Sequence, residues 1–163
     1  MSEIIIRDVK AQDNPQLIQL VQTTLAEFGA KKGDGFAMDD EELLNMYASY
    51  QLPGKHYYVL ETAGKVVGGA GVAPLEDDNN PNMCELRKMY FSPSLRGQGL
   101  GKSMIDKCIL KAKELGYVGM YLETINDMKI AQKLYLSRGF KYLDQRMGNT
   151  GHHACPVFML KKL

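Results

Sequence analysis

The segment from Met83 to Leu115 decides the fold, and its centre reads Arg96-Gly97-Gln98-Gly99-Leu100-Gly101-Lys102-Ser103. A strand-like apolar run leads into this glycine-rich turn, and an amphipathic helix pattern follows it. Glycines at alternate positions let the backbone turn tightly and bring its N–H groups close to a ligand. The first turn of the following helix adds unpaired N–H groups and the positive end of the helix dipole. The pattern therefore predicts an anion site, and phosphate suits it best.

Two nucleotide-binding patterns fail at this loop. The dinucleotide pattern G-x-G-x-x-G, counted from Gly97, would end at Lys102, and the Walker A pattern would need a glycine where Arg96 stands. The pattern R/Q-x-x-G-x-G/A does fit, with Arg96, Gly99 and Gly101 at its defined positions. The alternative is that the glycines only shape a sharp βα turn. A turn alone does not need all of them together with two flanking cations.

A second pattern lies downstream, in the string Ala131-x-x-Leu134-Tyr135-x-x-x-Gly139-Phe140. With the glycine loop, in this order and at this separation, it resembles the two signatures of the GCN5-related N-acetyltransferases. The resemblance is strong over residues 83–143 and rests elsewhere on the order of elements. It implies an α/β (α+β) fold in one domain over residues 1–163. The sheet is expected to be central, mixed and mostly antiparallel, with flanking helices and a splayed parallel pair, Met83–Phe91 and Val118–Ile125.

The same resemblance implies acetyl-coenzyme A as co-substrate, an amine as acceptor, direct transfer of the acetyl group and no metal. Contacts to the cofactor are then expected from Met89, Tyr90, Phe91, Arg96, Gly97, Gln98, Gly99, Leu100, Gly101 and Lys102. The N–H groups of Met89 and Phe91 would bind the pantetheine arm and polarise the thioester carbonyl. Members of the family often have an asparagine seven residues before the tyrosine of the second signature. Met128 stands there in this chain, and Asn126 is the expected substitute.

Tyr135 is the first candidate for proton transfer. It matches the tyrosine that the family places beside the thioester sulfur, where it protonates the departing thiolate. A phenol suits this role, because a proton or hydrogen bond supplied to a thiolate lowers the barrier to its departure. The alternative for Tyr135 is a packing role within its helix.

Glu85 is the second candidate. It lies eleven residues before Arg96, where the family's strand often carries a glutamate that acts as general base. Desolvation would raise the pKa of such a carboxyl toward the working range of a base. Regular alternation along the strand would place Glu85 on one face with Met89 and Phe91. The equal alternative is a salt bridge to Arg87 or Lys88 on a solvated edge, with the amine proton lost to solvent.

Length, composition and charge limit the other classes of protein to which the chain could belong. The 163 residues suffice for one substantial core, and 45% hydrophobic and 24% charged residues are typical of soluble globular proteins. A formal net charge of +1 without a basic stripe argues against a nucleic-acid partner. Apolar runs stay short of membrane-spanning length, and the start of the chain lacks the layout of a signal peptide. Three cysteines without repeated spacing favour a reducing compartment, so that the cytoplasm is the expected location. A homodimer is left open.

The remaining elements are read from local patterns. Asp39 with Glu42 resembles a capping box, and Gly68-Gly69-Ala70-Gly71 inside a strand indicates a bulge or the close approach of another backbone. The predicted elements are a strand at Ile4–Arg7, a helix from Asn14 closed by Gly29, a helix from Asp39 to Tyr50, a hairpin of Tyr57–Thr62 and Lys65–Ala73 turned at Ala63-Gly64, a loop at Glu76–Asn82, a short helix at Met128–Ser137 and a strand at Val157–Leu160.

The acceptor pocket is the least determined feature. The tyrosines of the second predicted helix, Tyr47 and Tyr50, either form a half-buried face or, with Phe36, line this pocket. His152 and His153 lie in a polar loop, where an exposed structural role, acceptor recognition and metal binding are the three interpretations. Metal is the weakest of them, because no third ligand has suitable spacing.

Two other function classes are weighed against acetyl transfer. A phosphate-loop nucleotidase is suggested by Gly101-Lys102-Ser103, but it needs an aspartate closing an apolar strand for Mg²⁺, and Val118–Ile125 offers only Glu123. The alternative function is a non-catalytic coenzyme A-binding sensor or interaction protein on the same fold. Loss of Tyr135 would have pointed to a sensor, and Tyr135 is present.

Overall fold

The computed structural model describes residues 2–77 and 79–163. Asp78, within the loop predicted at Glu76–Asn82, lies outside the described residues. The strands form one sheet in the order β1-β2-β3-β4-β5-β7-β6, in which β4 and β5 are parallel and the other neighbours are antiparallel. The strands are β1 (Ile4–Asp8), β2 (His56–Thr62), β3 (Lys65–Pro74), β4 (Met83–Phe91), β5 (Gly119–Thr124), β6 (Lys141–Leu143) and β7 (Val157–Lys162).

The α-helices in the described chain are α1 (Asn14–Glu27), α2 (Met46–Ser49), α3 (Leu100–Glu114) and α4 (Lys129–Ser137). The prediction of a continuous helix from Asp39 to Tyr50 is wrong. Two 3₁₀ turns, Ala37–Asp39 and Glu41–Asn45, precede the single turn of α2. Asp39 does not cap a helix here, because its carboxylate accepts hydrogen bonds from the N–H groups of Gly33 and Gly35. Glu42 turns instead toward β4.

Helices cover both faces of the sheet. On one face α3 packs its apolar stripe, Met104, Ile105, Cys108 and Ala112, against the inner strands, and α4 adds Tyr135 to the same cluster. On the other face α1 and the segment around α2 form a second cluster with β2 and β3. Each fully buried side chain as large as Met104 or Ile105 stabilises the fold by about 1.5–3 kcal/mol. The candidate site lies along β4, next to these two clusters.

The hairpin turn predicted at Ala63-Gly64 is confirmed. Ala63 and Gly64 both have positive φ, +49° and +75°, as a tight hairpin turn between β2 and β3 requires. Gly116, with φ of +88°, follows the last turn of α3. Strand β6 was not predicted from the sequence. It is a three-residue edge strand next to β7 and too short to show an alternating pattern.

Candidate active site

The parallel strands β4 and β5 separate where the site begins. Their pairing runs from Met83 opposite Gly119 to Glu85 opposite Tyr121, and no pair follows along these two fully described strands. Strand β4 nevertheless continues as far as Phe91. The edge of β4 beyond Glu85 therefore faces a gap, in which β5 no longer pairs with its backbone. The predicted splayed pair is confirmed.

A β-bulge interrupts β4 inside this gap. Arg87 stands opposite Gly71 and Tyr90 opposite Gly69, so that Lys88 and Met89 together face one residue of β3. Lys88 adopts a φ of +49°. A left-handed conformation costs a residue with a side chain about 1–3 kcal/mol, so the surrounding contacts must hold it in place.

Tyr57 on β2 supplies one of those contacts. Its hydroxyl donates to the Lys88 carbonyl at 2.7 Å within the buried interior. The ring reaches this position by crossing β3 over its glycines, since a Cβ on Gly69 would lie 2.6 Å from the Tyr57 hydroxyl oxygen. The glycine-rich stretch thus marks both a bulge and a close approach. The approaching groups are the Tyr57 side chain at Gly69 and the backbone carbonyl of His56, which would lie 2.7 Å from a Cβ on Gly71.

The bulge also reverses the side-chain alternation of β4. Cys84 and Leu86 belong to the core beneath α3, and beyond the bulge Met89 and Phe91 pack against that same core. Glu85 points to the opposite face. The prediction that Glu85 shares a face with Met89 and Phe91 is therefore wrong, because the bulge inserts one residue between them.

The glycine loop has the conformation that its sequence predicts. Gly97 and Gly99 have φ of +77° and +75°, and α3 begins directly after them. A Cβ on either glycine would meet nothing within 4 Å, so the left-handed backbone rather than lack of space requires glycine here. Lys102 and Ser103 are exposed beside the helix N-terminus. Free N–H groups, the helix dipole and an ammonium group thus converge as an anion site needs.

A cleft of about 560 Å³ runs from this loop to the gap beside β4. Its walls are the end of β4, the glycine loop and the first turns of α4. Of the residues expected to contact the cofactor, those lining the cleft are Met89, Tyr90, Phe91, Arg96, Gly97, Gly99, Leu100, Gly101 and Lys102.

The two other expected cofactor residues lie outside this lining. The amide of Gln98 donates to the Ser94 carbonyl at 3.0 Å. Asn126 is exposed, and its carbonyl accepts from Gln132. Met128, at the position where the family often has asparagine, does line the cleft. A contact from Gln98 or Asn126 to the cofactor stays a prediction.

Arg96 reaches the cleft with its guanidinium already engaged. Two of its nitrogens bond the Glu27 carboxylate at 2.7 and 3.0 Å, and Nε donates to the Phe91 carbonyl at 3.1 Å. These bonds tie the glycine loop to the end of α1 and to the end of β4. In this arrangement Arg96 shapes the cleft.

A second, small cavity of about 50 Å³ lies on the Glu85 side of the gap. Glu85 is 1% exposed. Arg87 donates through Nε to Oε1, whereas Oε2 is a buried oxygen for which the described residues supply no partner. Burial raises the pKa of Glu85, and the nearby charges of Arg87 and His152 offset only part of that rise. A desolvated carboxylate with one uncommitted oxygen is the arrangement that a general base needs.

The cleft and the cavity meet at Tyr135. The residues that line both are Met89, Tyr90, Met128 and Tyr135. Tyr135 is held by packing on Phe140, with ring centroids 5.9 Å apart. Burial raises the pKa of the Tyr135 phenol well above 10, so that it keeps its proton at neutral pH. The structure thus brings both predicted proton-transfer residues to one cavity.

Sequence reasoning missed a chain of ion pairs behind this cavity. His152 Nε2 lies 2.8 Å from the Asp40 carboxylate, and Lys88 Nζ lies 2.6 Å from the same group. Lys88 also pairs with Glu42, whose other oxygen is 3.0 Å from Arg87 Nη1. In order, this ion-pair chain consists of His152, Asp40, Lys88, Glu42, Arg87 and Glu85. Its members come from three separate segments, so no local spacing could reveal it.

Some of the other residues expected at the acceptor pocket line the cavity, and some do not. Phe36 lines the cavity, whereas Tyr50 lies behind it and donates to Glu42 at 2.6 Å. Tyr47 lines a separate surface groove, to which Tyr50 also contributes. His152 is buried in the cavity wall, and His153 is exposed. The polar loop is therefore part of the site through one of its two histidines.

Metal and membrane features can be checked only over the described residues. Within residues 2–77 and 79–163, no group of three His, Cys, Asp or Glu side chains is placed to hold a metal ion. Among the helices of the same residues, none has the length and apolar character needed to cross a membrane.

Comparison with known proteins agrees with this geometry. The sequence profile of the acetyltransferase (GNAT) family matches residues 19–140. An uncharacterized N-acetyltransferase of Escherichia coli (strain K12), YjgM, is 40% identical over 159 residues, which cover 98% of this chain and 95% of that protein. A GNAT-family acetyltransferase from Staphylococcus aureus Mu50 superposes with a TM-score of 0.86 at 26% identity, covering 99% of both chains. A further structure, yncA of Salmonella typhimurium with acetyl-CoA, has a TM-score of 0.78 at 23% identity over 99% of this chain and 95% of that one.

The fold and the site define an acyl-coenzyme A-dependent acetyltransferase. The chain belongs to the acetyltransferase (GNAT) family, as its two signatures predicted. Acetyl-coenzyme A is the co-substrate of this class, and the lining of the cleft fits it, with an anion site at one end and an apolar channel leading to Tyr135.

Proposed function

We propose that this acetyltransferase transfers the acetyl group of acetyl-coenzyme A directly to a primary amine, within one domain spanning residues 1–163. The observation that carries the proposal is the uncommitted Glu85 oxygen in a cavity that Tyr135 also lines. A buried carboxylate suits the binding of an ammonium group and the removal of its proton. A protonated phenol beside it suits the return of a proton to the leaving sulfur.

The cofactor would lie along the open edge of β4. The N–H groups of the glycine loop and the first turn of α3 would hold the pyrophosphate, with Lys102 adding a positive charge. The N–H of Met89, at the bulge, would bond the thioester carbonyl and stabilise the oxyanion that develops there. The bulge supports this assignment, because Met89 has no residue of its own opposite it on β3.

The proton steps balance with these two side chains. The acceptor ammonium gives one proton to the Glu85 carboxylate, and the free amine attacks the thioester carbon. As the tetrahedral intermediate collapses, the C–S bond breaks, the nitrogen loses its second proton, and Tyr135 protonates the thiolate. Tyr135 then regains a proton, so that the overall reaction releases one proton together with the amide and free coenzyme A.

Direct transfer is supported by the state of Cys155, the cysteine in the cavity wall. Burial raises the pKa of its thiol to about 12, so that it stays protonated and is a poor nucleophile at neutral pH. A covalent acetyl-cysteine intermediate is thus disfavoured. We also propose a cytoplasmic location, which is supported by three free cysteines, Cys84, Cys108 and Cys155.

The test is acceptor-dependent release of coenzyme A thiol. Purified protein is incubated with acetyl-coenzyme A and, one at a time, a polyamine, an amino acid, an aminoglycoside, a peptide with a free N-terminus and a peptide with an internal lysine. We expect thiol release above the hydrolytic background with at least one class, a product heavier by one acetyl group, and no acetylated protein before acceptor is added. Tight binding of coenzyme A without turnover on any class would favour the sensor instead.

A further inference from the structure

Both ends of the ion-pair chain face the acceptor cavity. Glu85 and His152 line it, as do Arg87 and Lys88 of β4, whereas Asp40 and Glu42 complete the chain outside the lining. His152 belongs to the loop before β7, whereas Asp40 lies between the two 3₁₀ turns, 112 residues earlier in the sequence. The His152–Asp40 bond therefore fastens two distant segments over the place where the acceptor amine is expected.

The charges of this cluster couple its two ends. Asp40, Glu42 and Glu85 contribute three negative charges when ionised, and Lys88 and Arg87 contribute two positive charges. Lys55, with its Nζ 3.6 Å from Glu42, adds a third positive charge. The sum is zero with neutral His152 and ionised Glu85, and a proton at either end raises it to plus one. Because buried net charge is costly, a proton bound at one end disfavours a second proton at the other end.

The other charged groups near His152 cancel one another. The side chain of Glu123 on β5 is fully buried, and Arg146 from the loop before β7 pairs with it at 3.2 Å. Arg146 also donates to the His152 carbonyl at 3.0 Å. The Cys155 thiol is neutral because burial raises its pKa. His152 and Glu85 are thus the two groups whose protonation changes the charge of the cavity.

Burial lowers the pKa of His152, but its bond to Asp40 and the negative charges of Asp40 and Glu85 outweigh that effect and raise it. The coupling is mutual, since the positive charge of His152 lowers the pKa of Glu85. Both effects agree with the coupling described above. A proton on His152 therefore favours ionised Glu85, which is the form that can accept a proton from an ammonium group.

We propose that His152 shares one proton with Glu85 and serves as the outlet for the proton that the acceptor amine loses, with Asp40 positioning its ring. The proposal rests on the amine acetylation proposed above. When Glu85 takes a proton from the ammonium, the ion-pair chain gains one positive charge, and His152 releases its proton to solvent and removes that added charge. After the amide has left, the proton on Glu85 passes to His152. One proton has then passed from acceptor to solvent, and the charge of the cluster is the same as before the reaction.

The first test needs no acceptor. The ring resonances of His152 are titrated by NMR in the wild-type protein and in Glu85→Gln, with His153, exposed and adjacent, as the internal control. We expect the His152 pKa to lie above the ordinary histidine value in the wild type and to fall in Glu85→Gln, while His153 does not change. An unchanged His152 pKa in Glu85→Gln would overturn the shared proton.

The second test uses kinetics with an active amine. His152→Gln keeps an N–H donor for Asp40 but cannot titrate, and His153→Gln is the matched control. Because proton-transfer residues contribute large factors, we expect His152→Gln to lower kcat/KM about tenfold or more, to leave the Kd for acetyl-coenzyme A unchanged and to flatten the pH profile. In a Glu85→Gln background the same change should cost little further. Full activity of His152→Gln, or losses that multiply independently in the double variant, would overturn the proposal.

The two tests separate this proposal from the proposed function. If the wild-type protein acetylates no amine and the NMR coupling is present, the shared proton stands and the amine reaction fails. If amines are acetylated and the coupling is absent, the proposed function stands and the shared proton fails.

Discussion

Arg87 donates its Nε–H to one carboxylate oxygen of Glu85, and the described residues supply no hydrogen-bond partner to the other, buried oxygen. Arg87 is itself anchored, because Nη1 bonds Glu42 at 3.0 Å. The pairing with Arg87 was the alternative to a catalytic role for Glu85. The structure shows that the two are compatible, since the ion pair orients the carboxylate and still leaves an oxygen for an amine.

The Glu85→Gln variant tests the base. Activity needs ionised Glu85, so it should rise with pH through the raised pKa of this group. In the variant, that part of the acidic limb of kcat/KM should vanish, and the rate should recover only as free amine accumulates at high pH. Glu76→Gln, at an exposed position, is the control. A profile that matches the wild type in shape and height would return Glu85 to a purely structural role.

The Gly99→Asp variant tests the anion site. The added carboxylate would lie against the expected pyrophosphate and weaken coenzyme A binding at least about tenfold, or 1.4 kcal/mol. Gly99→Asn is the control, because asparagine tolerates the left-handed backbone and carries no charge. Calorimetry should show a much smaller loss for Gly99→Asn. Equal affinities for the two variants would mean that the phosphates bind elsewhere.

The Glu27→Gln variant tests whether the Arg96 side chain can serve the cofactor. The pair is partly exposed and worth about 1 kcal/mol or less, so breaking it should not unfold the protein. Freed from Glu27, Arg96 could turn toward the pyrophosphate, and coenzyme A affinity should rise about two- to fivefold at low salt. Arg96→Gln in the same background should abolish the gain. No change in affinity would leave Arg96 as a support of the loop alone.

The Glu42→Gln variant tests the ion-pair chain as a source of stability. Burial raises the pKa of Glu42, but Lys88, Arg87 and Tyr50 outweigh it and lower the pKa to about 2, against 4.5 ordinarily. The stabilisation is therefore present above pH 4.5 and is lost as the pH falls toward 2. At pH 7 the variant should lose about 3 kcal/mol of unfolding free energy, since buried Lys88 keeps only one partner. Urea titrations should show this difference shrinking at pH 3. A difference independent of pH would contradict the assignment.

The sequence predicted well those features that a local stretch of backbone determines. Gly97 and Gly99 need left-handed conformations, and the signature ending at Phe140 places Tyr135 on a short helix. These two local patterns were sufficient to predict the family and the position of the cofactor cleft. The hairpin at Ala63 and Gly64 is determined in the same way. In each case the residues that set the conformation are neighbours in the chain.

The features that the sequence did not predict depend on distant contacts. The bulge at Lys88 is held by Tyr57 from another strand and by Asp40 from a loop, and it alone reverses the faces of β4. Glu42 has the spacing of a capping residue, but it is drawn to Lys88 and Arg87, and the expected helix gives way to 3₁₀ turns. His152 lies in a polar loop, and its sequence neighbours do not indicate the contact with Asp40, which is 112 residues away in the chain.

We propose that acetyl transfer takes place where the cleft and the cavity meet, at Tyr135. The most direct measurement compares Tyr135→Phe with the wild type in kcat and in the Kd for acetyl-coenzyme A. Removing the phenolic proton should lower kcat about 10²–10⁴-fold and leave Kd nearly unchanged, because the lost interaction forms mainly in the transition state. Full activity in Tyr135→Phe, or equal losses in binding and turnover, would contradict the claim.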